Sequence, residues 1–249
     1  MSTTNLYDET VKKELEVWQQ KLLKRANRIT YLSKNVQGKI QNLVPEKVQN
    51  TITVAMKGMI ETVLTASSVF TETEVATNPA LSESDFLVER MYKTYYKIAM
   101  AQGVGFGMGG MLINLADLPA LLSTKVKFLF DCAKLYGFDV NEKSERLFIL
   151  YVFQLAFCSD EHKEKIVPIV MNWEAHKEHV KLNWRQLQIE YRDYMDIAKL
   201  LQLLPVVGAA AGGFANHHLM QKLKETAMNS YRWRIVTTKY VDEEGDGDA

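Results

Sequence analysis

A glycine-rich stretch lies in the middle of the chain, where residues 102–119 read QGVGFGMGGMLINLADLP. A second glycine-rich window, LPVVGAAAGGFAN, occupies residues 204–216. Both windows contain small residues four positions apart, a spacing that lets two helices approach backbone to backbone. Because each glycine inside a helix costs about 1 kcal/mol relative to alanine, such clusters need a compensating contact. We therefore predict that the two windows form central helices that pack together through Gly103, Gly107, Gly110, Gly208 and Gly212.

A dinucleotide-binding loop is the competing interpretation of residues 105–110. Such a loop follows a strand and opens a helix within a strand–helix–strand unit. The residues before this window instead place Phe86, Met91 and Tyr95 at helical spacing. The pattern therefore favours a tight helix contact, and we expect no cofactor.

Helical spacing dominates the rest of the chain. Val11, Leu15, Trp18 and Leu22 recur at three or four residues near the N-terminus, and residues 173–201 show heptad spacing. No segment alternates like a strand for long. We predict an all-α protein with a single helical bundle over residues 1–239. Its predicted parts are basic amphipathic helices over residues 1–70, a glycine-rich helical core over residues 84–236 and a flexible, disordered acidic tail over residues 240–249.

Composition excludes several classes of protein. The 249 residues carry a formal net charge of zero and are 47% hydrophobic. The neutral balance argues against a dedicated nucleic-acid binder, and two cysteines are too few for a disulfide scaffold. The N-terminus is polar and has no apolar signal region, so we expect a cytoplasmic protein. Residues 98–116 and 200–221 are long and uncharged enough to span a membrane, but they are rich in Gly, Ala, Asn and Gln.

Several blocks of the sequence resemble the EcsC family. They are residues 109–122, 135–139, 145–150, 204–216 and 231–234, with the sequences GGMLINLADLPALL, LYGFD, ERLFIL, LPVVGAAAGGFAN and YRWR. The resemblance implies a bacterial cytoplasmic protein of a family that takes its name from a gene neighbouring an ABC transporter. The biochemistry of that family is unsettled, so the resemblance supplies no catalytic residues.

A polar cluster around the glycine windows is the candidate for chemistry. If the windows pair, Asp117 and Asn114 approach Asn216 and His217, and such a cluster could serve a hydrolase of small or lipidic substrates. The alternative for Asp117 is a helix N-cap, which Pro119 two residues later favours. No catalytic triad order, nucleophile elbow or Walker sequence is present, so the sequence favours a non-enzymatic protein.

A metal site is also weighed against a simpler interpretation. His176 and His179 are three residues apart and share a helix face, as two metal ligands could. Lys177 and Lys181 would repel a cation there, and the zinc pattern HExxH is absent. We therefore expect a solvated face and no metal.

A basic N-terminal segment points to a membrane surface. Residues 17–45 contain six basic residues and no acid. A basic amphipathic helix with an aromatic anchor can lie on an anionic leaflet, and the residues that would do so are Trp18, Lys21, Lys24, Arg25 and Arg28. The alternative is that the apolar face of this helix packs on the bundle. The expected partner is an anionic membrane surface or a membrane protein, with the chain peripheral on the inner face of the cell membrane.

Overall fold

The protein is all-α, as the sequence predicts. The computed structural model describes residues 6–23, 46–65, 72–107, 118–158, 160–177 and 208–245, and these residues contain no strand. The helices of this part, in chain order, are α1 (residues 6–23), α2 (Glu46–Thr65), α3 (Leu81–Gly107), α4 (Leu118–Leu135), α5 (Lys143–Phe157), α6 (Asp160–Met171), α7 (Trp173–His176) and α8 (Gly208–Gly245).

Helix α5 forms the centre of the bundle. From Leu147 to Phe157 every side chain is buried, including the polar Gln154. A helix that is apolar all round must be covered on every side. α5 accordingly contacts α2, α4, α6 and α8.

Helices α3 and α8 make the most extensive helix pair among the described elements. The ring of Tyr96 on α3 meets the imidazole of His217 on α8, with 5.0 Å between the ring centroids. Gly103 and Gly107 lie near the end of α3, and Gly208 begins α8. The surroundings of these glycines, and Gly110, lie outside the described part, so the glycine contact stays a prediction.

Helix α1 packs through the apolar stripe that its sequence shows. Val11, Leu15 and Trp18 are buried in the same hydrophobic core as α3 and α5. The Tyr7 hydroxyl donates a hydrogen bond to Asp85 of α3, and Glu14 lies 3.7 Å from Arg232 of α8. α1 therefore lies against α3 and α8.

The end of α8 differs from the sequence expectation, and the end of the predicted heptad helix lies outside the described residues. α8 continues to Gly245, whereas the sequence predicted a disordered tail from residue 240. The physical reason is that neither glycine nor proline occurs between Gly213 and Gly245, so nothing ends the helix earlier. The heptad segment continues past α7 into residues 178–207, which lie outside the described part, as do residues 246–249.

The end of α4 is a tight left-handed turn at Gly137. Gly137 has φ +85°, its N–H donates to the Lys134 carbonyl, and the Phe138 N–H donates to the Ala133 carbonyl. This pattern is the Schellman motif that closes a helix end. A Cβ on Gly137 would lie 3.2 Å from the Ala76 carbonyl oxygen, so both the backbone and the space require glycine.

We expect Gly137→Ala to lower the free energy of unfolding by about 1–2 kcal/mol or more, because the left-handed conformation is strained for alanine. Gly58→Ala is the matched control, since Gly58 lies in α2 with no atom within 4 Å of the added methyl. The control should raise stability by up to about 1 kcal/mol. Urea denaturation measures both, and equal effects of the same sign would contradict the account.

Candidate functional site

Four consecutive residues of α8, Tyr231–Arg234, connect most of the bundle. Successive residues of a helix point about 100° apart, so four in a row reach different neighbours. Tyr231 is fully buried, and its ring stacks on Tyr136 with 5.5 Å between centroids. The Trp233 indole N–H donates to the Met171 carbonyl at 2.9 Å. The two arginines of the segment bind buried carboxylates.

The first of these carboxylates is Asp85 of α3, which is 4% exposed. Its oxygens accept hydrogen bonds from the hydroxyls of Tyr7 and Tyr136, each at 2.5 Å, and from Arg232 Nε at 2.8 Å. Burial, followed by the hydrogen bond to Asp85, raises the pKa of Tyr7 to about 12. Burial and the Asp85 charge also raise the pKa of Tyr136. Both phenols therefore stay protonated as donors and cannot serve as bases at neutral pH.

The second carboxylate is Glu145 of α5. Arg234 binds it through two hydrogen bonds, of 2.6 Å and 2.8 Å, and binds Glu174 of α7 at 2.6 Å. The guanidinium also lies over the rings of Phe138 and Phe148, 4.0 Å and 4.4 Å from their centroids. A fork-shaped, weakly hydrated guanidinium suits such a buried site, whereas a lysine could make neither the bidentate pair nor the stacking.

The sequence blocks 135–139, 145–150 and 231–234 therefore meet in one place. They supply Tyr136, Glu145 and both arginines of these networks. Sequence reasoning singled out the blocks but did not predict that Asp85 and Glu174 pair with these arginines, because an acidic residue in a helix carries no local sign of a partner far along the chain. The networks position helices, and their carboxylates are already paired with tyrosine hydroxyls or with basic side chains.

The predicted catalytic cluster stays a prediction. Asp117 and Asn114 lie outside the described residues, and the side chain of Asn216 does too. His217 is half-buried on α8 against Tyr96. The described part therefore places one member of the cluster and leaves its contacts with the other three untested.

Other ionisable groups on α4 are also buried. Burial lowers the pKa of the Lys125 ammonium to about 7. Burial, followed by the charge of Asp131, raises the pKa of the Cys132 thiol, so this thiol is protonated at neutral pH and is a poor nucleophile. Asp131 also accepts a hydrogen bond from the Tyr95 hydroxyl. Sequence reasoning did not single out Lys125.

Metal ligands are not grouped anywhere in the described residues: no three His, Cys, Asp or Glu side chains there could hold an ion. The His176 Nδ1–H donates a hydrogen bond to the Asn172 carbonyl at 2.9 Å, and His179 lies outside the described part.

An open cleft of about 610 Å³ lies between α1 and α8, with Glu89 of α3 beside it. Its lining combines apolar, amide and charged side chains, from Lys13, Glu14, Val17, Trp18 and Lys21 of α1 and from Gln221, Lys224, Glu225, Met228, Asn229 and Arg232 of α8. Lys224 forms an ion pair with Glu89 at 2.5 Å. Lys13 and Lys21 are exposed and make no ion pair with a described residue.

Two of the predicted membrane-surface residues, Trp18 and Lys21, lie in the described part, one in the core and one on the rim of the cleft. Trp18, expected as an interfacial anchor, is only 7% exposed and belongs to the hydrophobic core. The alternative, in which the apolar face of α1 packs on the bundle, is the arrangement observed. Lys21 is exposed on the rim of the cleft, while Lys24, Arg25 and Arg28 lie outside the described residues.

None of the helices in the described ranges combines the length and the apolar character that a membrane crossing requires. The two uncharged stretches noted in the sequence, residues 98–116 and 200–221, extend partly outside those ranges.

The protein is thus an all-α bundle with an open cleft whose rim carries basic residues. The sequence blocks that resemble the EcsC family supply residues of the buried networks that hold this bundle together. The chain belongs to the EcsC protein family, which it matches over residues 9–236. It is 42% identical over 219 residues to Protein EcsC of Bacillus subtilis (strain 168), covering 88% of this chain and 92% of that protein. It is 30% identical over 181 residues to the uncharacterized protein YdbA of the same organism, covering 71% of this chain and 66% of YdbA. No solved structure matches the chain.

We expect Arg234→Met to lower the free energy of unfolding by about 3–5 kcal/mol, because it leaves Glu145 buried without its partner. The double variant Arg234→Met with Glu145→Met should recover most of the loss. Arg90→Met is the control, an exposed arginine of α3 whose replacement should change stability by less than about 0.5 kcal/mol. Urea denaturation compares the three, and a double variant less stable than Arg234→Met alone would contradict this account.

The pH dependence of stability should contain a contribution from Glu174. Burial alone would raise the pKa of this carboxyl, but hydrogen bonds from Lys177 and Arg234 outweigh burial and lower it. A lowered pKa in the folded state stabilises the protein above the ordinary value of 4.5, and that stabilisation is lost as the pH falls below it. Glu174→Gln should therefore be less stable than the parent at neutral pH, and this difference should be smaller near about pH 3. Urea denaturation at both pH values measures this, and a constant difference would refute the assignment.

Proposed function

We propose that the protein is a helical accessory protein of the EcsC type that binds the anionic cytoplasmic face of the cell membrane without inserting. The observation that carries this proposal is the basic rim of α1. Lys13 and Lys21 are exposed there, and the sequence continues through Lys24, Arg25 and Arg28 with no acid before Glu46. Residues 17–45 thus form one basic segment that begins on the rim, whereas Glu14 and Glu16 separate it from Lys13.

The burial of the apolar face of α1 determines how such binding works. Val11, Leu15 and Trp18 face the bundle, so in this conformation they are not available to enter a lipid layer. The attraction is then electrostatic, at about 1 kcal/mol for each basic residue near an anionic surface. Exposed charges are screened by salt, so binding of this kind weakens steeply as ionic strength rises.

Residues 17–45 contain no acid, although α1 itself carries Asp8, Glu9, Glu14 and Glu16 before them. The chain is neutral in total, so the basic segment is a local excess of charge in the sequence and does not make the protein a general polyanion binder.

Replacing Lys21, Lys24, Arg25 and Arg28 by glutamine should weaken binding to vesicles of phosphatidylglycerol and phosphatidylcholine on the order of a hundredfold or more. Sedimentation with the vesicles measures this at low and at raised salt. The matched control replaces four exposed lysines elsewhere, Lys57, Lys93, Lys97 and Lys143, which removes the same charge.

The control should retain most of the binding, and purely zwitterionic vesicles should bind neither protein. Equal losses in the two variants would show a response to net charge and not to the α1 segment. Binding that ignores both lipid charge and salt would contradict the electrostatic proposal. Failure of the unmodified protein to bind anionic vesicles would leave a membrane protein as the partner and overturn a lipid one.

A further inference from the structure

We propose that the cleft between α1 and α8 binds one anionic phospholipid molecule, with its phosphodiester at the basic rim and part of a chain on the apolar floor. This inference rests on the proposed function, because the lipid would come from the surface that the protein binds. Electrostatic attraction to a membrane surface needs no defined binding site, whereas this inference adds a site that holds one lipid molecule per chain.

The size and lining of the cleft fit an amphiphile. Ligand sites in proteins usually have volumes of about 300–1,000 Å³, and this cleft has about 610 Å³. Trp18 and Met228 supply an apolar floor from opposite helices, and Val17 is 51% exposed beside them. An exposed apolar side chain between charged ones favours a ligand that carries both characters.

Arg232 provides a positioned anion-binding group. Its Nε is held by Asp85 at 2.8 Å, and its Nη1 is held by Asn229 at 3.3 Å, so the guanidinium is fixed in place. Arg232 lines the cleft, and Nη2 has no hydrogen-bond partner among the described residues. A guanidinium that is already oriented loses little entropy on binding, and its planar fork matches phosphate oxygens.

Two lysines frame the opening from α1. Lys13, Val17 and Lys21 are four residues apart in sequence and therefore lie along one face of the helix. The two ammonium groups are about two helical turns apart, roughly 12 Å along the axis. A phosphate at Arg232 is thus approached by flexible cations from the rim.

The acids of the cleft limit the charge of the ligand. Four basic and three acidic side chains line it, which leaves one net positive charge. Glu89 is paired with Lys224, and Glu14 lies 3.7 Å from Arg232. A single negative charge, such as that of a phosphodiester, balances this site, whereas a polyphosphate or a nucleic acid would be repelled by the glutamates.

A short-chain lipid in its monomeric form separates this site from adsorption to a surface. The probe is dihexanoyl-phosphatidylglycerol below its micelle-forming concentration, titrated into the full-length protein by calorimetry. Dihexanoyl-phosphatidylcholine and inorganic phosphate are the comparison ligands. We expect saturable binding of one phosphatidylglycerol per chain, with the other two ligands at least tenfold weaker.

Val17→Glu should weaken that binding at least tenfold, because it puts a negative charge and a polar group between the lysines of the rim. Val54→Glu is the matched control, since Val54 is 70% exposed on α2 and does not line the cleft. The control changes net charge equally and should bind like the parent. Unfolding curves of both variants establish that each is folded.

The outcomes distinguish the site from the proposed function. Absence of saturable binding by the monomeric lipid, or equal binding by the two valine variants, would overturn the site. Inorganic phosphate that binds as tightly as the lipid would overturn the lipid assignment. If the protein binds vesicles but not the monomeric lipid, the cleft site is overturned and the membrane proposal stands. If it binds the monomeric lipid but not vesicles, the membrane proposal is overturned and the lipid site in the cleft is supported.

Discussion

The pairing of two arginines of α8 with buried carboxylates is the constraint on which the bundle depends. Arg232 binds Asp85 of α3, and Arg234 binds Glu145 of α5. An apolar core tolerates volume-conserving changes at small cost, but a buried charge that loses its partner costs several kcal/mol. A shift of α8 by one turn, about 5.4 Å, would break both pairs at once. The two pairs therefore fix the position of α8 against α3 and α5 together.

Sequence periodicity predicted the helices because the information is local. An apolar stripe at three- or four-residue spacing, or a glycine at the end of α4, is visible within a few residues. The pairing of Arg234 with Glu145 joins residues 89 positions apart. In the sequence, a glutamate that will be buried cannot be distinguished from one that will be exposed. Local signals also misplaced the end of α8, because charge indicated a tail while no helix breaker occurs before Gly245.

The candidate site was predicted in pieces for the same reason. The sequence indicated Trp18 and Lys21 as membrane-surface residues of one helix, and it placed Arg232 in a separate block of family resemblance. That both line one cleft follows from the packing of α1 on α8, which no sequence pattern shows. An amphipathic helix also has the same pattern whether its apolar face meets a protein core or a lipid layer. Burial of Trp18 decides between them for this conformation, and it gives any membrane contact to the charged side.

Arg232 belongs to both the structural network and the cleft, and this double role links the family motif to the site. Its Nε faces Asp85 inside the bundle, and its Nη1 faces Asn229 and Glu14 at the cleft. Asp85 also accepts the hydrogen bond of Tyr7, so the carboxylate that orients the guanidinium holds α1 as well. The width of the cleft and the direction of its fixed cation thus depend on one buried group. The segment Tyr231–Arg234 therefore acts on the cleft through Arg232, because the contacts of Arg232 with Asp85 and Glu14 hold α8 against α3 and α1 beside the cleft.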